Sequence, residues 1–156
     1  MPDDGIMEDV PQQARPIYET ADHRSEEEKA LILWEHHLKC DIVRTPTKAA
    51  VDGLCHRDNM LVGLVETKRR HYDMNHFADL EISKVKMDCA ATMAEWMIVP
   101  AVLLIQWNDA LGWVEIDKQS LTMLSTKASI GRDDRNDPKD KEVGYLIPIS
   151  RFKVID

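Results

Sequence analysis

The sequence predicts one α/β domain around a mixed sheet with helices on its flanks. Three observations carry that expectation. Hydrophobic patterning switches between helical and strand periods in the order α-β-β-β-α-β, with a further strand unit at the end. The chain has 156 residues, 44% of them apolar, which suits a single domain with its own core. No apolar run nears the roughly 20 residues that span a bilayer, and the start Met1-Pro2-Asp3-Asp4-Gly5 lacks the basic residues and apolar stretch of a secretory signal. Cys40, Cys55 and Cys89 are odd in number and far apart, as reduced thiols would be. A cytoplasmic protein without a membrane segment is therefore expected.

The elements follow in order. Residues 1–23 contain Pro2, Gly5, Pro11 and Pro16 with little periodicity, and read as a poorly ordered acidic leader ahead of a domain over 24–156. Ser25 and Glu28 form a capping box, from which a helix runs to about Leu38 with Leu31, Trp34 and Leu38 inward. Residues 40–45 read as a first strand stopped by Pro46, residues 49–55 as a second, and residues 56–59 as a turn. Residues 60–68 are a third strand, too continuously apolar for an exposed edge. A long helix over 80–97 should bury Ile82, Val85, Cys89, Met93 and Trp96 as one stripe. After Pro100, residues 101–107 form a central strand and residues 113–116 another. Residues 131–141 make a charged loop, and residues 144–149 a last strand.

Charge is uneven. With 20 basic and 28 acidic residues the net is 20 − 28 = −8, but residues 1–28 hold nine acids and two bases, leaving 18 bases and 19 acids in the rest. The body is almost neutral, so a polyanionic partner such as DNA is compatible with it.

The sharpest chemical signal is Asp52 on one strand and Glu66-Thr67-Lys68 at the end of the next. Side chains alternate along a strand, so Glu66 and Lys68 project together while Thr67 points away. The turn between the strands returns Asp52 to Glu66. Two carboxylates that close repel one another unless a divalent cation joins them, and hard oxygen ligands suit Mg²⁺. Other clusters are weaker. His36, His37 and Cys40 lack a completing Cys-x-x-Cys for zinc. Cys55 and His56 are strand neighbours facing opposite ways, unlike a nucleophile and its base. Asp58 reads as a turn former.

This arrangement resembles the PD-(D/E)XK nuclease superfamily, including archaeal Holliday-junction resolvases and small phage-encoded nucleases. There a glutamate-bearing helix precedes an Asp on a hairpin strand, an acid-x-Lys on the next, and a second flanking helix. Residues 28–46 look like the first helix and strand of the resolvases. Residues 82–88, 99–107, 130–135 and 145–152 look like the second helix, the following strand and the closing hairpin of the phage proteins. Val51 replaces the proline usual before the motif aspartate, and the acidic leader is unusual for a DNA enzyme.

The resemblance implies a restriction-endonuclease-like core plus a C-terminal β-hairpin, and a Mg²⁺-dependent deoxyribonuclease, with Mn²⁺ able to substitute, in phage DNA replication, recombination or repair. It makes Asp52, Glu66 and the Thr67 carbonyl metal ligands. Lys68 would orient water and stabilise the phosphorane. Glu28, with Glu27 as fallback, would hold a metal-bound water or a second cation. Lys86, Lys84, Arg69, Arg70 and Arg132 would contact the DNA backbone, and a homodimer would supply two sites. Two rival expectations stand beside it. One is a non-catalytic module on the same fold; the other is an acidic phage protein that binds a host protein through residues 1–28.

Overall fold

The computed structural model describes residues 21–46, 49–130 and 142–156. The leader through residue 20 and the charged loop with Arg132 lie outside the described residues.

Helix α1 (Ala21–Leu38) begins four residues before the expected cap, so Ser25 and Glu28 lie inside it and the capping box does not mark its start. Residues 21–30 hold no proline or glycine and are rich in Ala, Arg, Glu and Lys, so helical propensity extends back past Ser25. Its inner face is Ala30, Leu31 and Trp34, with Leu38 at the margin.

Strand β1 (Asp41–Arg44) pairs antiparallel with β2 (Gly53–Arg57), which pairs antiparallel with β3 (Met60–Arg69). Strand β2 lies later than residues 49–55 because the turn is tighter than expected. Arg57 pairs with Met60, and Asp58 and Asn59 alone make the connection, with φ of 52° and 62°. Two central residues with positive φ give the hairpin turn whose twist matches that of the strands, and Asp and Asn tolerate that conformation.

The largest departure follows β3. Residues 79–83, expected as the start of the second helix, form strand β4 (Asp79–Ser83). Leu80 and Ile82 are buried while Asp79 and Glu81 are half-buried, a period of two. Helix α2 (Lys84–Met97) starts where the Ser83 hydroxyl accepts from the Lys86 N–H at 3.3 Å. The expected stripe is therefore corrected in part, since Ile82 is buried and Met93 packs against the core as expected. Val85, Cys89 and Trp96 are exposed, and the buried face is Met87, Ala90, Ala91 and Ala94. Small side chains let the helix lie close on the sheet, so the less hydrophobic face is the inner one.

Strands β5 (Ala101–Gln106) and β6 (Leu111–Ile116), a short helix α3 (Lys118–Thr122), and the hairpin β7 (Ser125–Ile130) and β8 (Glu142–Pro148) follow, then β9 (Lys153–Val154). The main sheet has the order β1-β2-β3-β5-β6-β9, with β3 and β5 parallel and the other neighbours antiparallel. It is the expected mixed sheet. A second sheet, β4-β8-β7, contains the C-terminal hairpin.

Two apolar layers sandwich the main sheet. Val65, Val102 and Leu104 pack under α1, and Leu64, Leu103 and Ile105 pack under α2 and the second sheet. Alternation along β3 then fixes the direction of the motif. Glu66 and Lys68 share the face of Leu64 and project towards α2. Among the described residues no helix is long and apolar enough to cross a membrane.

Candidate active site

Asp52 sits just before β2, where the chain already runs beside β3. Its N–H donates to the Val65 carbonyl at 2.9 Å, and its carbonyl accepts from the Thr45 N–H at 3.0 Å. Gly53 makes this approach feasible, since a Cβ there would lie 2.7 Å from the Ile42 side chain. The Asp52 carboxylate then reaches along β3 and accepts from the Thr67 N–H at 2.8 Å. The N–H and C=O of one strand residue point to the same side, so the Thr67 carbonyl also turns towards Asp52. Val51 fills the core immediately before it.

Glu66 is only 3% exposed. Its Oε1 lies 3.9 Å from the Nζ of Lys68 and 3.9 Å from the Nζ of Lys86, both beyond hydrogen-bond reach. Burial first, and the Asp52 carboxylate second, push its pKa up to about 8, against the pull of the two lysines. Burial and the neighbouring Lys86 ammonium lower the Lys68 pKa, while Glu66 opposes them. Asp52, Glu66, Thr67, Lys68 and Lys86 are thus brought together, with the capped N-terminus of α2 facing the same space. That terminus adds a partial positive charge.

The other expected residues are placed differently. Glu28 is 64% exposed, and its carboxylate lies 3.9 Å from Arg44, which also takes a 2.8 Å bond to Glu27. Arg44 pairs with Gly53, one residue from Asp52, so these acids lie beside the strand that leads into the site. Glu26 of the same helix lies 3.7 Å from the Arg69 Nε at the end of β3. Among the described residues no three His, Cys, Asp or Glu side chains cluster as a metal-binding group.

Arg69 also donates to the Gln106 carbonyl at 3.1 Å and to Asn108 at 2.7 Å. Arg70 is held by the Glu81 carbonyl at 3.0 Å, and burial lowers its pKa. Both arginines thus spend donors tying β3 to its neighbours. Lys84 bonds Asp88 at 2.6 Å and lies over the Tyr145 ring, with its pKa raised by Asp88. Lys86, 48% exposed, faces the site and stays open to solvent.

Sequence reasoning passed over the segment between β3 and β4. Tyr72 and Phe77 there line a cavity of about 710 Å³ whose wall also contains Lys68 and Lys86. The signal was present: aromatic residues follow directly on the acid-x-Lys strand.

A mixed sheet flanked by helices, with Asp52 and Glu66-Thr67-Lys68 converging at the end of parallel strands, defines a protein of the PD-(D/E)XK nuclease fold. Residues 13–155 match the family described as "Phage putative PDDEXK endonuclease", and the chain belongs to that family. Among solved structures it is similar to Hjc, a Holliday junction resolvase from the archaeal hyperthermophile Archaeoglobus fulgidus. That likeness has a TM-score of 0.52 at 14% identity, covers 81% of this chain and 88% of that one, and bears on the fold. No curated protein sequence matches this chain.

Proposed function

We propose that this protein is a Mg²⁺-dependent deoxyribonuclease, with Mn²⁺ able to substitute, acting in the host cytoplasm in phage DNA replication, recombination or repair. The convergence of Asp52 and Glu66 with Lys68 and Lys86 carries the reading. The donor set suits a hard divalent cation: two carboxylates and a backbone carbonyl, all oxygens, with Glu66 buried and its nearest cations too far for a hydrogen bond. Asp52, Glu66 and the Thr67 carbonyl would hold it. When bound, such a cation acts as a Lewis acid on a phosphate oxygen and acidifies water.

The chain's own residues do the rest. The Asp52 carboxylate is oriented by the Thr67 N–H, which fixes the ligand oxygens before metal arrives. Lys68 Nζ orients the attacking water and donates to the oxygens of the phosphoryl group as charge builds there. Lys86 Nζ, at the N-terminus of α2, holds the phosphate in place. Lys84, Arg69, Arg70 and Arg132 remain proposed backbone contacts of lower rank than Lys86. Glu28 is proposed to serve from the border of the site, beside Arg44.

We also propose a homodimer through the exposed apolar face of α2. Val85, Cys89 and Trp96 form a helical stripe that is exposed among the described residues.

Two substitutions test the catalytic assignment. Asp52→Ala should abolish metal-dependent cleavage with the melting profile retained. Lys68→Ala should slow cleavage by two or more orders of magnitude, about the scale of removing one stabilising donor, while titration with Mn²⁺ still shows binding. Wild-type cutting rates in both variants would remove the assignment.

A further inference from the structure

The segment from Arg70 to β4 is pinned rather than loose. The Asn108 N–H donates to the Tyr72 carbonyl at 3.1 Å, the Met74 N–H to Asp109 at 2.9 Å, and the His76 N–H to the Asp73 carbonyl at 3.0 Å. The strap is thereby fastened to the β5–β6 turn. It carries a fan of rings: Phe77 meets Tyr72 edge-on at 5.0 Å and His76 edge-on at 4.5 Å. Phe77 is nevertheless 52% exposed and forms part of the cavity wall.

That cavity, about 710 Å³, falls in the size range of sites for small organic groups. Its polarity is graded. Lys68 and Lys86, the two ammoniums that face Glu66, lie on its wall at the metal-ligand end. Asp79, Glu81 and Glu142 line it elsewhere, with Lys127 tied to the Glu81 carboxylate at 2.7 Å and Arg70 donating to the Glu81 carbonyl at 3.0 Å. A phosphate belongs at the lysines and is repelled by the carboxylates. A planar, uncharged group that donates hydrogen bonds suits the rest: it stacks on the ring wall and gives amino hydrogens to the acids.

We propose that this cavity is a nucleobase pocket. It receives one unpaired base from the strand whose phosphate sits between Lys68 and Lys86. The inference rests on the nuclease reading of the same site and names its substrate class. DNA with an unpaired or easily extruded nucleotide beside the cut, as at a flap, a branch point or a single-stranded end, is the preferred form. In continuous duplex the base is held in the stack, and taking it out has an energetic cost.

The test is binding in EDTA, so that it is independent of cutting. Fluorescence anisotropy would compare a labelled flap with a blunt duplex of the same length, with 2-aminopurine at the unpaired position as a stacking reporter. The variants are Phe77→Ala and Phe77→Trp. Phe77 is half exposed, and thermal melts would verify that each variant is folded. The expected result is that Phe77→Ala lowers the ratio of flap to duplex affinity about tenfold and abolishes 2-aminopurine quenching, as loss of one stacking platform implies. Phe77→Trp restores both. An unchanged ratio with unchanged quenching in Phe77→Ala overturns the pocket, and metal-dependent cutting by the wild type would then leave the nuclease reading standing. Phe77-dependent flap binding without cutting under any metal retains the pocket and removes the nuclease.

Discussion

Glu66 carries a large electrostatic cost, and that cost is measurable. With the carboxyl pushed up to about 8 from an ordinary 4.5, the folded chain keeps a proton that the unfolded chain has released. The unfolded state binds fewer protons in that window, so stability falls as pH rises from about 4.5 through about 8. Thermal melts in EDTA across this range should show the decline, and Glu66→Gln, which cannot titrate, should flatten it. An equally steep decline in Glu66→Gln would place the titrating group elsewhere. Mn²⁺ should raise the melting temperature more at pH 8 than at pH 5, because a metal ligand must be deprotonated. At this scale much was legible. Strand alternation alone puts Glu66 and Lys68 together, and the hairpin returns Asp52 to them. Lys86 was legible only through resemblance, and its distance to Glu66 depends on where α2 begins. Where Glu28 lies was less legible, because a helix glutamate's reach depends on the rotation of α1 over the sheet, which composition does not encode.

At the scale of elements, α2 shows why periodicity misleads. Two faces of that helix repeat at helical spacing: Val85, Cys89 and Trp96 on one, Met87, Ala90, Ala91 and Ala94 on the other. Hydrophobicity favours the first as core, but close approach to β3 and β5 requires the second. Replacing a small residue there should be costly. Ala91→Leu is expected to lower stability by about 1–3 kcal/mol through overpacking, read from denaturant melts. A neutral result would show room between α2 and the sheet that the packing denies. Strand β4 was legible in principle, since Leu80 and Ile82 alternate with Asp79 and Glu81. It was lost because five residues of strand run without a break into fourteen of helix. The strands β3 and β5 were legible because continuous apolar runs signal burial on both faces.

For the whole molecule, the order of elements was enough to indicate the fold, and the family match over residues 13–155 agrees with it. The second sheet was not legible as a separate unit, since β4 lies far along the chain from the β7–β8 hairpin that it joins. Trp96 is 80% exposed at the end of the apolar stripe of α2, and the proposed dimer buries it. Sedimentation velocity should show a dimer for the wild type and a monomer for Trp96→Glu. A wild-type monomer at tens of micromolar would remove the interface.

The proposed activity is that Asp52, Glu66 and Lys68 cut DNA with the help of a divalent cation. Its most direct test is the incubation of labelled linear, circular, single-stranded and four-way-junction DNA with the wild-type protein and Glu66→Ala, in Mg²⁺, in Mn²⁺ and in EDTA. The expected outcome is cutting by the wild type in either metal, none in EDTA, and loss of at least a hundredfold in Glu66→Ala, since that substitution removes a ligand of the cation. Failure to cut any of the four substrates in either metal, or equal cutting by Glu66→Ala, would contradict it.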